Sequence, residues 1–350
     1  MLKALFPIVT SSYRLSLWFV MAWFALFSPQ TFAVHDAFLS NLTREVAGNN
    51  DAVTSIRQHT KFLAVGYESG RINLWDTSKP NDKLVVQAHA YRASELTFSP
   101  NGEILFSNSY FEDSTQIWST DSGKLLHTIQ KMRDPVSATW LENIYVVANT
   151  SELKIFDWRD KTLHETVYPV SGVVTSLTFD KEQRRIGVGT ASGSIEIWTL
   201  LSDTASPTLT RIASIHPYEI GNWVQGVYFA HGKGTVYTVA RFGSVDEWQL
   251  DTLQKIRSIA TKPVKLAHIY ASAWLPDAGV LALTGSQDSS GFGQGYVEVL
   301  SLSTNKSFAH QAQSTPRAIE FLSQEQLLIV GEYPKLVLHP CHCALQRKTQ

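Results

Sequence analysis

The chain has 350 residues, of which 44% are hydrophobic, 11% aromatic and 17% charged. This composition provides a large apolar core and excludes an intrinsically disordered chain, which would carry more charge and fewer aromatic residues. The formal net charge is -1, and no segment is strongly basic, so we expect no nucleic-acid partner.

Residues 1–33 have the pattern of a secretory signal peptide. Lys3 and Arg14 are basic, an apolar run follows over residues 15–27, and the small residue Ala33 ends the segment. Cleavage after Ala33 would leave a periplasmic or secreted protein with no stable membrane insertion. The alternative is an uncleaved anchor, although the unbroken apolar run is shorter than the ~20 residues that a spanning helix needs.

A short motif then recurs seven times along the chain. Its first copy is Ile72-Asn73-Leu74-Trp75-Asp76, and the positions equivalent to Trp75 are 118, 156, 198, 248, 300 and 338, about 44 residues apart on average. Six aromatic residues form a second set of landmarks in phase with the first: Phe98, Trp140, Phe179, Phe229, Trp274 and Phe321. Short apolar segments around both sets alternate with turn-forming residues, which predicts antiparallel strands joined by hairpins.

Glycine stands five residues before the first landmark in four of the repeats, at Gly70, Gly193, Gly243 and Gly295. We expect each to form a tight turn with positive φ before the third strand of its unit. Segments 83–87 and 124–129 read as outer strands, so each unit is predicted to be a four-stranded antiparallel blade. The predicted fold class is therefore all-β, a seven-bladed β-propeller.

Segments 64–76 (AVGYESGRINLWD) and 96–102 (LTFSPNG) resemble the repeats of the WD-repeat (WD40) β-propeller family. The resemblance extends over the predicted mature chain and implies a propeller domain at residues 34–340 with a C-terminal tail at 341–350. Blades of that family often carry a hydrogen-bonded set of His, Asp, Ser or Thr, and Trp. This chain has His89, Ser107 and Trp118 at such positions but Glu112 in place of the Asp, so we expect an incomplete network.

The last repeat leaves no room for a good fourth strand after residue 338. A propeller avoids unpaired sheet edges by joining its two ends. We therefore expect residues 36–43 to close the last blade as an N-terminal strand, and deletion of residues 34–43 to destabilise the whole domain.

The sequence contains no phosphate-binding glycine loop, nucleophile elbow or zinc-protease motif, and we expect neither enzymatic activity nor a cofactor. A candidate metal site is the C-terminal set His339, Cys341, His342 and Cys343, because imidazole and thiolate are ligands that zinc and copper prefer. The alternative is a tail with free thiols or a Cys-x-Cys disulfide.

In the WD-repeat family, a common partner site is the rim formed by the blade-to-blade connections and the turns between second and third strands. Exposed aromatic and arginine side chains dominate the energetics of protein interfaces. Six residues in these loops are predicted to bind a partner: Tyr91, Arg92, Arg133, Tyr218, Trp223 and Arg241. The alternative for each is that it covers the core beneath a loop.

The function expected from these features is a non-enzymatic, exported, monomeric scaffold that binds a protein partner on its loop-rich face. The alternative is a metal or redox accessory protein that assists an exported oxidoreductase through its His/Cys tail.

Overall fold

The computed structural model describes residues 42, 50–79, 81–130, 132, 135–141, 143–164, 166–201, 207–230, 232–259, 264–288, 290, 293–304, 306–312, 314–322, 327–332 and 335–341. Within these ranges the chain forms 28 strands and one short 3-10 helix, Pro276–Ala278. No helix in the described part of the chain is long and apolar enough to cross a membrane. The predicted signal peptide at residues 1–33 lies outside the described residues.

The strands form seven antiparallel sheets, one for each repeat. Blade 1 contains β1 (Val53–Gln58), β2 (Phe62–Tyr67), β3 (Arg71–Asp76) and β4 (Lys83–Gln87). Blade 2 contains β5 (Glu95–Phe98), β6 (Ile104–Asn108), β7 (Ser114–Ser119) and β8 (Leu125–Gln130). Blade 3 contains β9 (Pro135–Leu141), β10 (Ile144–Asn149), β11 (Glu152–Asp157) and a split outer strand, β12 (Thr162–Leu163) with β13 (Tyr168–Pro169).

The remaining four blades follow the same order. Blade 4 contains β14 (Val174–Asp180), β15 (Arg185–Thr190), β16 (Ile195–Leu201) and β17 (Thr208–Ile215). Blade 5 contains β18 (Val224–Ala230), β19 (Thr235–Ala240), β20 (Val245–Gln249) and β21 (Lys255–Ile259). Blade 6 contains β22 (His268–Leu275), β23 (Val280–Ser286), β24 (Gly295–Ser301) and β25 (Lys306–Gln311). Blade 7 contains β26 (Ile319–Leu322), β27 (Leu327–Glu332) and β28 (Lys335–Pro340).

The predicted seven-bladed propeller is confirmed, and the two sets of landmarks explain its regularity. All positions equivalent to Trp75 lie in the third strand of a blade, and all six in-phase aromatic residues lie in a first strand. The first strand of every blade packs beside that of the next, and β1 packs beside β26, so the ring is closed. A separate apolar cluster fills each interface between neighbouring blades.

The interface between the last and first blades includes a residue from the N-terminal segment. Leu42 is fully buried and packs with Val53 and Trp75 of blade 1 and with Leu336 of blade 7. Its backbone is helical, so the predicted extended strand is wrong at this residue. Residues 36–41 and residue 43 lie outside the described residues, and three strands of blade 7 are described.

Arg57 of β1 connects three blades where the two ends of the chain meet. Its guanidinium lies 2.6 Å from the Glu95 carboxylate of blade 2 and 3.3 Å from that of Glu320 in blade 7. Its Nε also donates to the Leu96 carbonyl at 3.0 Å. Burial raises the pKa of Glu95 and of Glu320, and the neighbouring guanidinium offsets part of each rise.

Three of the four predicted turn glycines have positive φ, from +80° to +88°: Gly70, Gly193 and Gly243. At Gly70 a Cβ would also collide with the carbonyl oxygen of His89, so the turn needs glycine for conformation and for space. The prediction of positive φ is wrong at Gly295, which is the first residue of β24. There the backbone approaches the Ser314 carbonyl too closely for a Cβ.

Candidate protein-interaction face

Two kinds of loop lie at the same end of the propeller. In an antiparallel four-stranded blade, the turn between the second and third strands and the connection to the next blade lie at one end, because the strands alternate in direction. Backbone hydrogen bonds link the two kinds of loop, as between Arg241 N–H and the Trp223 carbonyl at 2.7 Å. We call this end the loop face.

On blade 2, the loop face carries a group of exposed aromatic side chains with an arginine, here called the Tyr91 cluster: Tyr91, Arg92, Tyr110 and Phe111. Tyr91 and Phe111 are each 55% exposed, and their rings meet edge to face at 5.8 Å. The Arg92 guanidinium lies 5.7 Å from the centre of the Phe111 ring. A chain of ring contacts and a cation–π contact therefore organises this exposed apolar surface.

A buried hydrogen-bond network supports the two loops of the Tyr91 cluster. Trp118 Nε1 donates to Ser107 Oγ at 2.9 Å, and Ser107 Oγ lies 2.8 Å from Nε2 of His89. His89 Nδ1 lies 2.6 Å from one oxygen of the Glu112 carboxylate, and the other accepts the Ala90 N–H at 2.7 Å. Burial lowers the pKa of His89 and so favours the neutral ring. Nδ1 is then the donor, because the Glu112 carboxylate can only accept. In blade 2 the expectation of an incomplete network is therefore wrong, because the longer Glu112 side chain reaches the histidine.

Blade 5 carries the second exposed group, the Trp223 cluster: Trp223, Arg241 and Phe242. Trp223 is 41% exposed and Phe242 is 51% exposed. The Arg241 guanidinium lies 4.7 Å from the Trp223 ring and 5.8 Å from the Phe242 ring. Arg241 Nε also donates to His268 Nε2 at 3.0 Å, which fixes the guanidinium between the two rings.

Tyr218 is not an exposed residue of this face. Only 8% of it is accessible, and its hydroxyl lies 2.8 Å from Thr238 Oγ1 and donates to Asp246 at 2.6 Å. Trp248 Nε1 donates to the same Thr238 hydroxyl at 2.8 Å. Tyr218 thus occupies in blade 5 the place of His89 in blade 2, and burial raises its pKa. Its place between core and loop identifies it as a structural residue.

The structure therefore brings the predicted residues together in two pairs, Tyr91 with Arg92 and Trp223 with Arg241. The rings of Phe111 and Phe242 complete these pairs, although the sequence analysis did not select them. Their signal was their position in the turns between second and third strands, and Phe242 also directly follows the selected Arg241. Arg133 lies outside the described residues, and its predicted role stays a prediction.

The predicted metal ligands are only partly within the described residues. His339 lies in β28 and Cys341 is fully buried, while His342 and Cys343 lie outside the described residues. Cys341 is disulfide-bonded and is not a free thiol. In the described part of the chain, no group of three or more His, Cys, Asp or Glu residues is arranged to hold a metal ion. The site as predicted from sequence stays a prediction.

A cavity of about 530 Å³ opens at the end of the channel opposite the loop face, where the first strands end. Arg57 and Glu320 are paired with each other in its wall. The Tyr228 hydroxyl bonds to Ser272, and burial raises the pKa of Tyr228 to about 12. The titratable groups named here are therefore engaged in contacts between the innermost strands of the ring.

The closed ring of seven antiparallel blades is a seven-bladed β-propeller, and its turn glycines and its His-Ser-Trp network resemble those of WD40 repeats. No family model matches the chain. Over 158 residues it is 24% identical to the transcriptional corepressor LEUNIG_HOMOLOG of Arabidopsis thaliana, an alignment that covers 41% of this chain and 20% of that protein. The chain thus spans about one fifth of the length of this curated relative.

Among solved structures, the computationally designed Ika8 protein has the same fold, with a TM-score of 0.59 and 16% identity over 83% of this chain and 96% of that one. This fold is consistent with a protein-interaction scaffold.

Proposed function

We propose that this chain is a non-enzymatic interaction module that binds a protein partner on its loop face, at both the Tyr91 and Trp223 clusters. The supporting observation is that each cluster holds an arginine guanidinium against exposed aromatic rings. Tyrosine, tryptophan and arginine are the residue types most enriched among those that dominate binding energy. Single exposed apolar residues need no such explanation, but ordered groups of them mark interaction sites.

The clusters are held in place before any partner arrives. In the Tyr91 cluster, Glu112 binds the backbone of Ala90 from one loop and follows Phe111 in the other. In the Trp223 cluster, the Phe242 N–H donates to the Asn222 side chain at 2.8 Å. A surface that is already ordered loses less conformational entropy on binding, which favours affinity.

The two clusters lie three blades apart, which is the largest separation that a ring of seven blades allows. A partner that contacts both therefore spans the mouth of the channel. This arrangement favours a folded domain or a long extended segment over a short peptide, because a short peptide would bury only one cluster.

The test uses two paired variants, Tyr91→Ala/Phe111→Ala and Trp223→Ala/Phe242→Ala. A photo-crosslinking residue placed at Tyr110 or Ile220 on the loop face traps the partner in the native cell, and mass spectrometry identifies it. The matched control is Leu125→Ala/Ile256→Ala, because both residues are 50% exposed but lie on outer strands. We expect both cluster variants to lose the crosslinked partner and the control to keep it. Equal recovery from all three would refute the proposal.

We also propose that the protein acts in the periplasm or outside the cell. The support is the basic and apolar pattern of residues 1–33. Cell fractionation should recover the protein outside the cytoplasm, and N-terminal sequencing should begin at Val34. A cytoplasmic protein that retains residues 1–33 would refute this part, and the interaction test above would be unaffected.

A further inference from the structure

We propose that His310 and His339 form a metal-binding pair that clamps the seventh blade onto the sixth. His310 lies in β25, the outer strand of blade 6, and His339 lies in β28 of blade 7. Their imidazole rings are 5.3 Å apart between centroids and tilted by 35°. The sequence analysis had selected His339 within the tail motif but gave no reason to select His310.

The separation of the two rings fits a shared ion. A zinc–nitrogen bond is about 2.0–2.1 Å, and the centre of an imidazole ring lies roughly 1.2 Å beyond the bonded nitrogen. Two such rings at a tetrahedral angle would have their centroids about 5.2 Å apart. This value is close to the observed 5.3 Å, so the ring separation matches that of two imidazoles bound to one tetrahedral ion.

Strand register places both histidines in the interface between the two blades. His310 pairs with Val297 across the sheet, so their side chains point to the same face. Val297 packs in the apolar cluster that also contains Cys341. His339 is two residues before Cys341 and follows the same alternation along the strand. The pair therefore lies beside the start of the predicted metal-binding tail.

The ligand types indicate a borderline divalent cation. Imidazole suits Zn²⁺ and Cu²⁺ and is a poor ligand for Mg²⁺ or Ca²⁺, which prefer oxygen. Two protein ligands leave further coordination positions for water. Because the two histidines come from different blades, a bound ion would also stabilise the closing blade by binding only the folded ring.

Metal-stripped protein is titrated with ZnCl₂ by calorimetry and with CoCl₂ by visible absorption, which reports the ligand field of the bound ion. The variants are His310→Gln and His339→Gln. The matched control is His127→Gln, because His127 also lies on an outer strand but stacks on a phenylalanine ring, that of Phe156 at 5.6 Å. A further variant, His342→Gln, removes the imidazole of the tail.

We expect one Zn²⁺ per chain in the wild type and in the control. Affinity should fall by at least about tenfold in each single variant, because loss of even an outer-shell partner costs a metal site ~10–100-fold. Zn²⁺ should also raise the Tm of the wild type and the control more than that of either variant. If His310→Gln does not fold, His310→Asn takes its place.

Wild-type affinity in His310→Gln would overturn the proposal. If His342→Gln then abolished binding, the tail would be the site. Absence of Zn²⁺ binding by the wild type would also overturn it. These results do not test the proposed partner binding at the loop face, which involves different side chains.

Discussion

Replacement of Ser107 by alanine isolates the network that supports the Tyr91 cluster. The Ser107 side chain is fully buried and joins Trp118 Nε1 to His89 Nε2. Alanine fills nearly the same space but leaves two buried nitrogens without their partner. Each such loss costs about 1–3 kcal/mol, so Ser107→Ala should lower the free energy of unfolding by about 2–6 kcal/mol.

The assay is thermal unfolding followed by tryptophan fluorescence and by circular dichroism. For a domain of this size, each kcal/mol lowers Tm by about 2 °C, so the expected shift is about 4–12 °C. The matched control is Ser122→Ala, in the exposed turn between β7 and β8 of the same blade. An exposed substitution of this kind changes stability by about 0.5 kcal/mol or less. If the Ser107 and Ser122 variants have the same Tm, the network contributes no net stability and the reasoning is refuted.

Leu42→Ala should lower the free energy of unfolding by about 2–5 kcal/mol in urea denaturation, because the residue is buried between blades. The control Leu125→Ala, on an outer strand, should leave the urea midpoint nearly unchanged. Gly70→Ala should lower the free energy of unfolding by more than about 1–2 kcal/mol, because the residue has positive φ and a Cβ would clash. Gly221 has positive φ but lies in open space, so Gly221→Ala should cost less in the same denaturation assay. An equal cost would contradict the role of the clash. Because the pKa of His89 is lowered in the fold, the unfolded chain takes up a proton first, and stability should fall as pH decreases from about 6.5 towards the folded-state pKa. Urea titrations at several pH values should show a shallower fall in His89→Asn, and an unchanged slope would contradict this assignment.

The propeller was predictable because its determinants are periodic. A position equivalent to Trp75 recurs in the third strand of each blade, and an aromatic residue recurs in the first strand of blades 2 to 7. Both recur once per blade, and both sets of positions lie in strands of the structure. Closure was less predictable, because it depends on contacts between residues far apart in the chain. Leu42 shows the difference, since its apolar character was visible but its helical backbone was not.

The candidate site was predictable in part, because loop position indicates the face but not the exposure of each residue. Tyr218 lies in the same connection as Trp223, yet its hydroxyl reaches a buried threonine and aspartate. Glu112 could not be recognised as a substitute for aspartate from its residue type alone. Its carboxylate completes the network because the turn places it within reach of both His89 and the Ala90 backbone.

The position of Arg57 affects how the ring opens. Its ion pair with Glu320 joins residues 263 positions apart, and such a contact forms only after the chain has brought its first and last blades together. A contact made late in folding acts mainly on the unfolding rate. Arg57→Met should therefore speed unfolding in denaturant jumps and leave the refolding rate nearly unchanged. Arg57 would then determine how long the ring stays closed, which is its kinetic stability.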